Sequence, residues 1–100
     1  MRRGTTPTHI FTSDIDLTDA EEIYITYKQG CKKIEKTKDD IIELTPDTVK
    51  VELTQEETLM FSSCKDDVEI QFRVKFPGGK APASNIVTAP VERILKEGVI

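Results

Sequence analysis

From Val68 to Phe76 the chain reads Val-Glu-Ile-Gln-Phe-Arg-Val-Lys-Phe, and apolar and polar residues alternate without a break. Successive side chains of an extended strand point to opposite faces, so this stretch forms one dry face and one wet face only as a β-strand. Wound into a helix, Val68, Ile70, Phe72 and Val74 would scatter around the circumference. Ile23-Tyr24-Ile25-Thr26-Tyr27-Lys28 and Val49-Lys50-Val51-Glu52-Leu53 carry the same period, and Lys33–Lys36 and Ile41–Leu44 carry shorter versions of it. Thr8–Thr12, around Ile10 and Phe11, reads as a first strand, and Ala83–Val91 as a last one.

Turn residues punctuate these runs. Pro77-Gly78-Gly79 separates the best strand from the last one and predicts a hairpin, because glycine reaches positive φ without a steric penalty. Gln29-Gly30 closes one strand, and Asp39-Asp40 and Thr45-Pro46-Asp47 bracket another. Pro82 and Pro90 each lack a ladder donor, which places the last strand at a sheet edge or on a bulge. Seven short strands separated by such turns define an all-β fold, a β-sandwich. Its inward residues are Phe11, Ile23, Ile25, Tyr27, Val49, Val51, Leu53, Val68, Ile70, Phe72 and Val74, each contributing about 1.5–3 kcal/mol of transfer free energy.

One segment leaves the pattern. Thr54-Gln55-Glu56-Glu57 is a capping box, in which the Thr54 hydroxyl accepts from the Glu57 amide while the Glu57 carboxylate reaches back. A single helical turn near 55–60 is expected, with Leu59 or Phe61 closing an end of the core.

Composition sets the outer limits. A chain of 100 residues, 37% hydrophobic and 32% charged, suits one folded domain, 1–100. The net charge of −4 argues against a surface built for nucleic-acid phosphate or anionic lipid. No apolar run approaches the ~20 residues of a membrane span. Met1-Arg2-Arg3-Gly4 is followed by polar Thr5-Thr6-Pro7-Thr8, where a signal peptide requires an apolar stretch, so a cytoplasmic location is expected. Residues 1–7 read as a flexible arm and 96–100 as a loose tail ending in apolar Val99-Ile100.

Few residues invite chemistry. Cys31 and Cys64 read as unpaired thiols in a cytoplasmic chain; whether they approach each other is a question for the fold. With His9 they fall short of the four ligands of a zinc site. Asp14-Ile15-Asp16-Leu17-Thr18-Asp19 resembles the start of a calcium loop, but an EF-hand counted from Asp14 would put Gly at 19 and Glu at 25, where Asp19 and Ile25 stand. An acidic turn, with Thr18 or Asp19 bonding the local backbone, is the simpler reading; whether it takes up an ion is again left to the fold. Glu56-Glu57 and Asp66-Asp67 are adjacent pairs rather than carboxylates facing across a cleft. Pro77-Gly78-Gly79-Lys80 joins two strands, where a phosphate loop must open a helix. Arg2, Arg3, Lys32, Lys33, Lys36 and Lys38 are the main basic concentration; without an aromatic platform, the lysines read as protection of an edge strand. No catalytic, cofactor-binding or metal-ligating residue is assigned, and no enzyme activity or cofactor is expected.

Met1-Arg2-Arg3-Gly4-Thr5-Thr6-Pro7-Thr8-His9, Val51-Glu52-Leu53-Thr54-Gln55-Glu56-Glu57-Thr58-Leu59, the Val68–Val74 strand and Ala83-Ser84-Asn85-Ile86-Val87 together resemble small proteins encoded in prophages of Gram-positive gut bacteria. The resemblance covers nearly the whole chain. More distantly, the order of elements is similar to the immunoglobulin-like N-terminal domain of siphophage baseplate upper proteins. Ser13 and Pro90 depart from the pattern at the edge strands. These resemblances imply an immunoglobulin-like sandwich and a structural or assembly role in a tail, baseplate or virion. Its expected partners are phage tail or baseplate proteins, or a second copy through edge strands, met in the host cytoplasm during assembly or in the virion. The alternative is a phage accessory protein that binds a host partner.

Overall fold

Tyr27 is fully buried between two antiparallel sheets, and the strands around it follow from the alternation. The computed structural model describes residues 1–100. In chain order the strands are β1 (Thr8–Thr12), β2 (Glu22–Gln29), β3 (Lys32–Thr37), β4 (Ile41–Leu44), β5 (Thr48–Glu52), β6 (Val68–Lys75) and β7 (Val87–Ala89). A 3-10 turn, Lys38–Asp40, links β3 to β4, and the short helix α1 (Gln55–Leu59) links β5 to β6.

One sheet has the order β1-β5-β4, and the other β3-β2-β6-β7. The chain crosses between the layers after β1, β3 and β5, a Greek-key course with the strand order of an immunoglobulin-like sandwich. In the larger sheet Ile23 faces Val74, Ile25 faces Phe72 and Tyr27 faces Ile70 across the β2–β6 ladder. Val49 and Val51 of β5 and the adjoining Leu53 meet them from the opposite layer, and all three are buried.

Nine of the inward residues named above are buried as expected, whereas Phe11 and Phe72 are only half-buried and pack at the border of the core. The core also takes residues that no strand period announces. Leu17, 1% exposed, and buried Ala20 draw the acidic turn down onto the sandwich. Phe61, also 1% exposed, closes the end beside α1, while Leu59 stays half-buried. Buried Gln29 bonds the loop after α1 on both sides of its amide: Nε2 donates to the Ser62 and Asp66 carbonyls, and Oε1 accepts from the Ser62 amide.

The helix is capped as its sequence predicts. The Glu57 amide donates to Thr54 Oγ1 at 3.1 Å, and the Thr54 amide donates to Glu57 Oε1 at 2.9 Å. The last strand is shorter than expected. The hairpin closes on Gly78 and Gly79, both at positive φ, and the chain returns along β6 through a lone bridge at Ala83. Only Val87–Ala89 forms a regular ladder, and Pro90, which has no donor, ends it.

The ends, read from the sequence as a flexible arm over 1–7 and a loose tail over 96–100, make contacts that the sequence reading did not place. The arm lies beside the segment after β7, with Arg3 N–H donating to the Glu92 carbonyl and Glu92 N–H to the Met1 carbonyl. Arg3 Nε donates to the Phe61 carbonyl, and its guanidinium pairs with Glu97 at 2.9 Å. Gly4 allows the turn that follows: its φ is +72°, and a Cβ there would lie 2.8 Å from Ile94 Cδ1. The Ile100 amide donates to Gln55 Oε1, which ties the tail to α1. These partners lie tens of residues apart in sequence, so no local pattern reports them.

Removing the ring that closes the core should be costly. Phe61→Ala is expected to lower unfolding free energy by about 3–5 kcal/mol, read from the urea midpoint.

Candidate functional site

Two clefts of about 260 Å³ each run along one side of the sandwich, where the layers come apart. One is walled by Thr12, Ser13 and Leu17 on one side and Val74, Pro82 and Ser84 on the other. The second continues between Ile10, Phe11 and Thr12 of β1 and Ile70, Phe72 and Val87 of the other sheet. The seam exists because β1 is an edge strand, paired with β5 alone, and β7 is the edge of the facing sheet. Ile10 stands out from it, 61% exposed, and Val87 is half exposed on the opposite lip.

A larger depression of about 690 Å³ is shallow and open, lined by Ile15, Asp16, Asp19, Phe76, Lys80, Ala81 and Pro82. Its carboxylates are partly engaged locally. Asp16 Oδ1 accepts from the Thr18 amide at 2.9 Å and from the Thr18 hydroxyl, and these bonds hold its pKa below the usual carboxylate value. The acidic segment is thus a turn, closed between Asp16 and Thr18 where the sequence suggested Thr18 or Asp19 bonding the backbone, and anchored by Leu17. Nowhere in the chain do three His, Cys, Asp or Glu side chains converge in a way that could hold a metal ion.

His9 is on the inner face of β1. Its Nδ1 lies 2.7 Å from Tyr27 Oη, with ring centroids 5.6 Å apart. Burial pushes the Tyr27 phenol far up, with the Glu57 charge adding to the shift, so the phenol keeps its proton. The His9 ring beside it is half-buried. Burial, then the positive N-terminus, lowers its pKa. The pair bridges the two sheets by a hydrogen bond that engages Nδ1 of His9.

The other polar tie joins β3 to α1. Lys36 Nζ donates to Glu57 Oε1 at 2.7 Å, with the lysine side chain only 11% exposed. Burial pushes the Glu57 carboxyl up, but its bonds from Lys36 and Thr54 outweigh this and leave it below the ordinary value. Lys36 therefore faces inward, while Lys32 and Lys33 stand in solvent on the same strand. Arg2 and Arg3 belong to a different neighbourhood, paired with Glu92 and Glu97, so the basic residues grouped by sequence form no common patch.

Cys31 and Cys64 are both exposed and unpaired. Glu56-Glu57 and Asp66-Asp67 do not assemble across a cleft, and the Pro77-Gly78-Gly79-Lys80 turn is closed by its own backbone, Phe76 N–H donating to the Lys80 carbonyl at 2.8 Å. The surface feature that local sequence reading misses is the seam. Its signal was the neutral composition of Thr8–Thr12, but which edges lie open depends on strand order. No helix is long and apolar enough to cross a membrane. Comparison with family models, curated proteins and solved structures finds no match for this chain.

Acid should weaken the interlayer tie. His9 has a lower pKa folded than unfolded, so the unfolded chain binds more protons as pH falls below about 6.5, and stability drops through that window until the folded value is passed. Urea midpoints measured on either side of that value should diverge, and His9→Gln, which retains an acceptor but does not titrate, should flatten the difference. Glu57 works in a lower window: its depressed carboxyl supports folding above about 4.5 and ceases to do so as pH falls further. Glu57→Gln should cost about 1–3 kcal/mol at neutral pH by leaving Lys36 without its charged partner, and the loss should shrink in acid.

Proposed function

We propose that the protein is a non-enzymatic structural or assembly component of a phage particle, a tail, baseplate or virion-associated module that works through contacts with other chains. The observation that carries this reading is the side of the sandwich where the outer edge of β1 lies open beside exposed Ile10 and Val87. Unpaired strand edges and exposed apolar side chains are what extended segments and neighbouring sheets bind. The resemblance of the Met1–His9 opening and the Val51–Leu59 segment to small prophage proteins supplies the setting, and the immunoglobulin-like strand order is in keeping with the more distant resemblance to the baseplate domains. Its partners are then phage tail or baseplate proteins, met in the bacterial cytoplasm during assembly and retained in the virion.

Mass spectrometry of purified particles and assembly intermediates after prophage induction should detect the chain at a fixed ratio to tail components. Its absence from both, with stoichiometric capture of a host protein from lysate, would instead favour an accessory protein that binds a host partner.

A further inference from the structure

We infer that the free edge of β1 pairs with the β1 edge of a second copy, antiparallel about a two-fold axis at Ile10, and joins the two smaller sheets into one. The inference rests on the reading that the protein works through chain–chain contacts, and it names the edge, the register and the partner.

The sandwich has four edge strands, β1, β4, β3 and β7. Three carry a device that discourages pairing. Lys32 and Lys33 stand exposed on β3, a register shift between Ile41 and Glu43 breaks β4, and β7 has only three residues and ends at Pro90. β1 has none. Its five residues, Thr8-His9-Ile10-Phe11-Thr12, contain no Asp, Glu, Lys or Arg, no proline and no bulge.

The hydrogen-bond parity fixes which groups are free. Leu53 N–H donates to the Pro7 carbonyl and Ser13 N–H to the Asp47 carbonyl, so the odd-numbered residues of this strand bond toward β5. In an antiparallel ladder the even residues then turn both backbone groups to the other side. The N–H and C=O groups of Thr8, Ile10 and Thr12 therefore line the outer edge. Centred on Ile10, two such edges match. Ile10 exchanges both bonds with its counterpart, Thr8 does so with Thr12, and Thr12 with Thr8, which satisfies every outward group on both copies. Ile10, 61% exposed in the single chain, meets a second Ile10, and the threonines form cross-strand pairs. The register brings no like charges face to face, because His9 points into its own sandwich and each Asp14 falls beyond the paired segment. These features favour a self-complementary partner over one recognised by charge.

Light scattering over a concentration series should show the chain moving from 11.3 kDa toward twice that mass. The backbone amides of Thr8, Ile10 and Thr12 should lose hydrogen-exchange rate over the same range. Ile10→Lys places two ammonium groups across the axis, and Ile10→Pro removes a donor that the fold itself does not use; each should raise the dissociation constant about tenfold or more while circular dichroism stays unchanged. A wild-type chain that stays at 11.3 kDa overturns the inference, as does a dimer that both folded variants form equally well. Protection of the three amides only when other phage components are added also overturns self-pairing, in favour of a donated strand. A dimer absent from particles and assembly intermediates would overturn the phage role and leave the pairing intact, whereas a monomer found in either would do the reverse.

Discussion

Contact between the inner face of β2 and the layer that carries β5 is the constraint from which the rest follows. Ile23, Ile25 and Tyr27 occupy alternate positions of one strand, so once any of them is turned inward the others must be as well. That choice fixes the register of β6, whose Val74, Phe72 and Ile70 sit directly across from them. Shifting the pairing by one residue would put Glu69, Gln71 and Arg73 in the core, so the arrangement is specified by burial rather than by the turns alone. The loops are then held by what they contribute to the same interior, Leu17 from one side and Phe61 from the other.

Polar groups enter this interior only in pairs. The Tyr27 phenol meets His9, the Gln29 amide meets the carbonyls and amide of the 62–66 loop, and Thr58 Oγ1 donates to the Thr5 carbonyl. No buried side-chain nitrogen or oxygen lacks a partner. A buried polar group without a partner costs more than a made hydrogen bond returns, so each of these ties also selects a geometry. Gln29 fixes the loop after α1, and His9 fixes β1 against the opposite sheet. By contrast, the exposed ion pairs Arg2–Glu92 and Lys33–Glu35 add little by themselves.

Much of this architecture was legible in the amino-acid sequence because period two is a local property. Thr8–Thr12 and Ile41–Leu44 begin and end where the pattern places them, and the Thr54–Glu57 capping box marks the start of α1. The failures share a physical cause, dependence on residues distant in the chain. Gln29 looks like a turn residue until the 62–66 carbonyls are brought to it. Leu17 sits among carboxylates that suggest solvent, yet the core beneath them takes its side chain. The arm reads as loose because Arg3 finds the Phe61 carbonyl and Glu97 only in the folded chain. The seam beside β1 was illegible for the same reason, since an edge is defined by which strands are not neighbours.

The bonds between Met1–Arg3 and Glu92 have a mechanical consequence. Arg2 and Glu92 run parallel, one near each terminus. Tension applied to the two ends of the chain would slide these segments past each other and load their backbone bonds together rather than unzip them one at a time. The contacts between the ends would act as a latch, and the two sheets behind it would be shielded from the pull until it gave way.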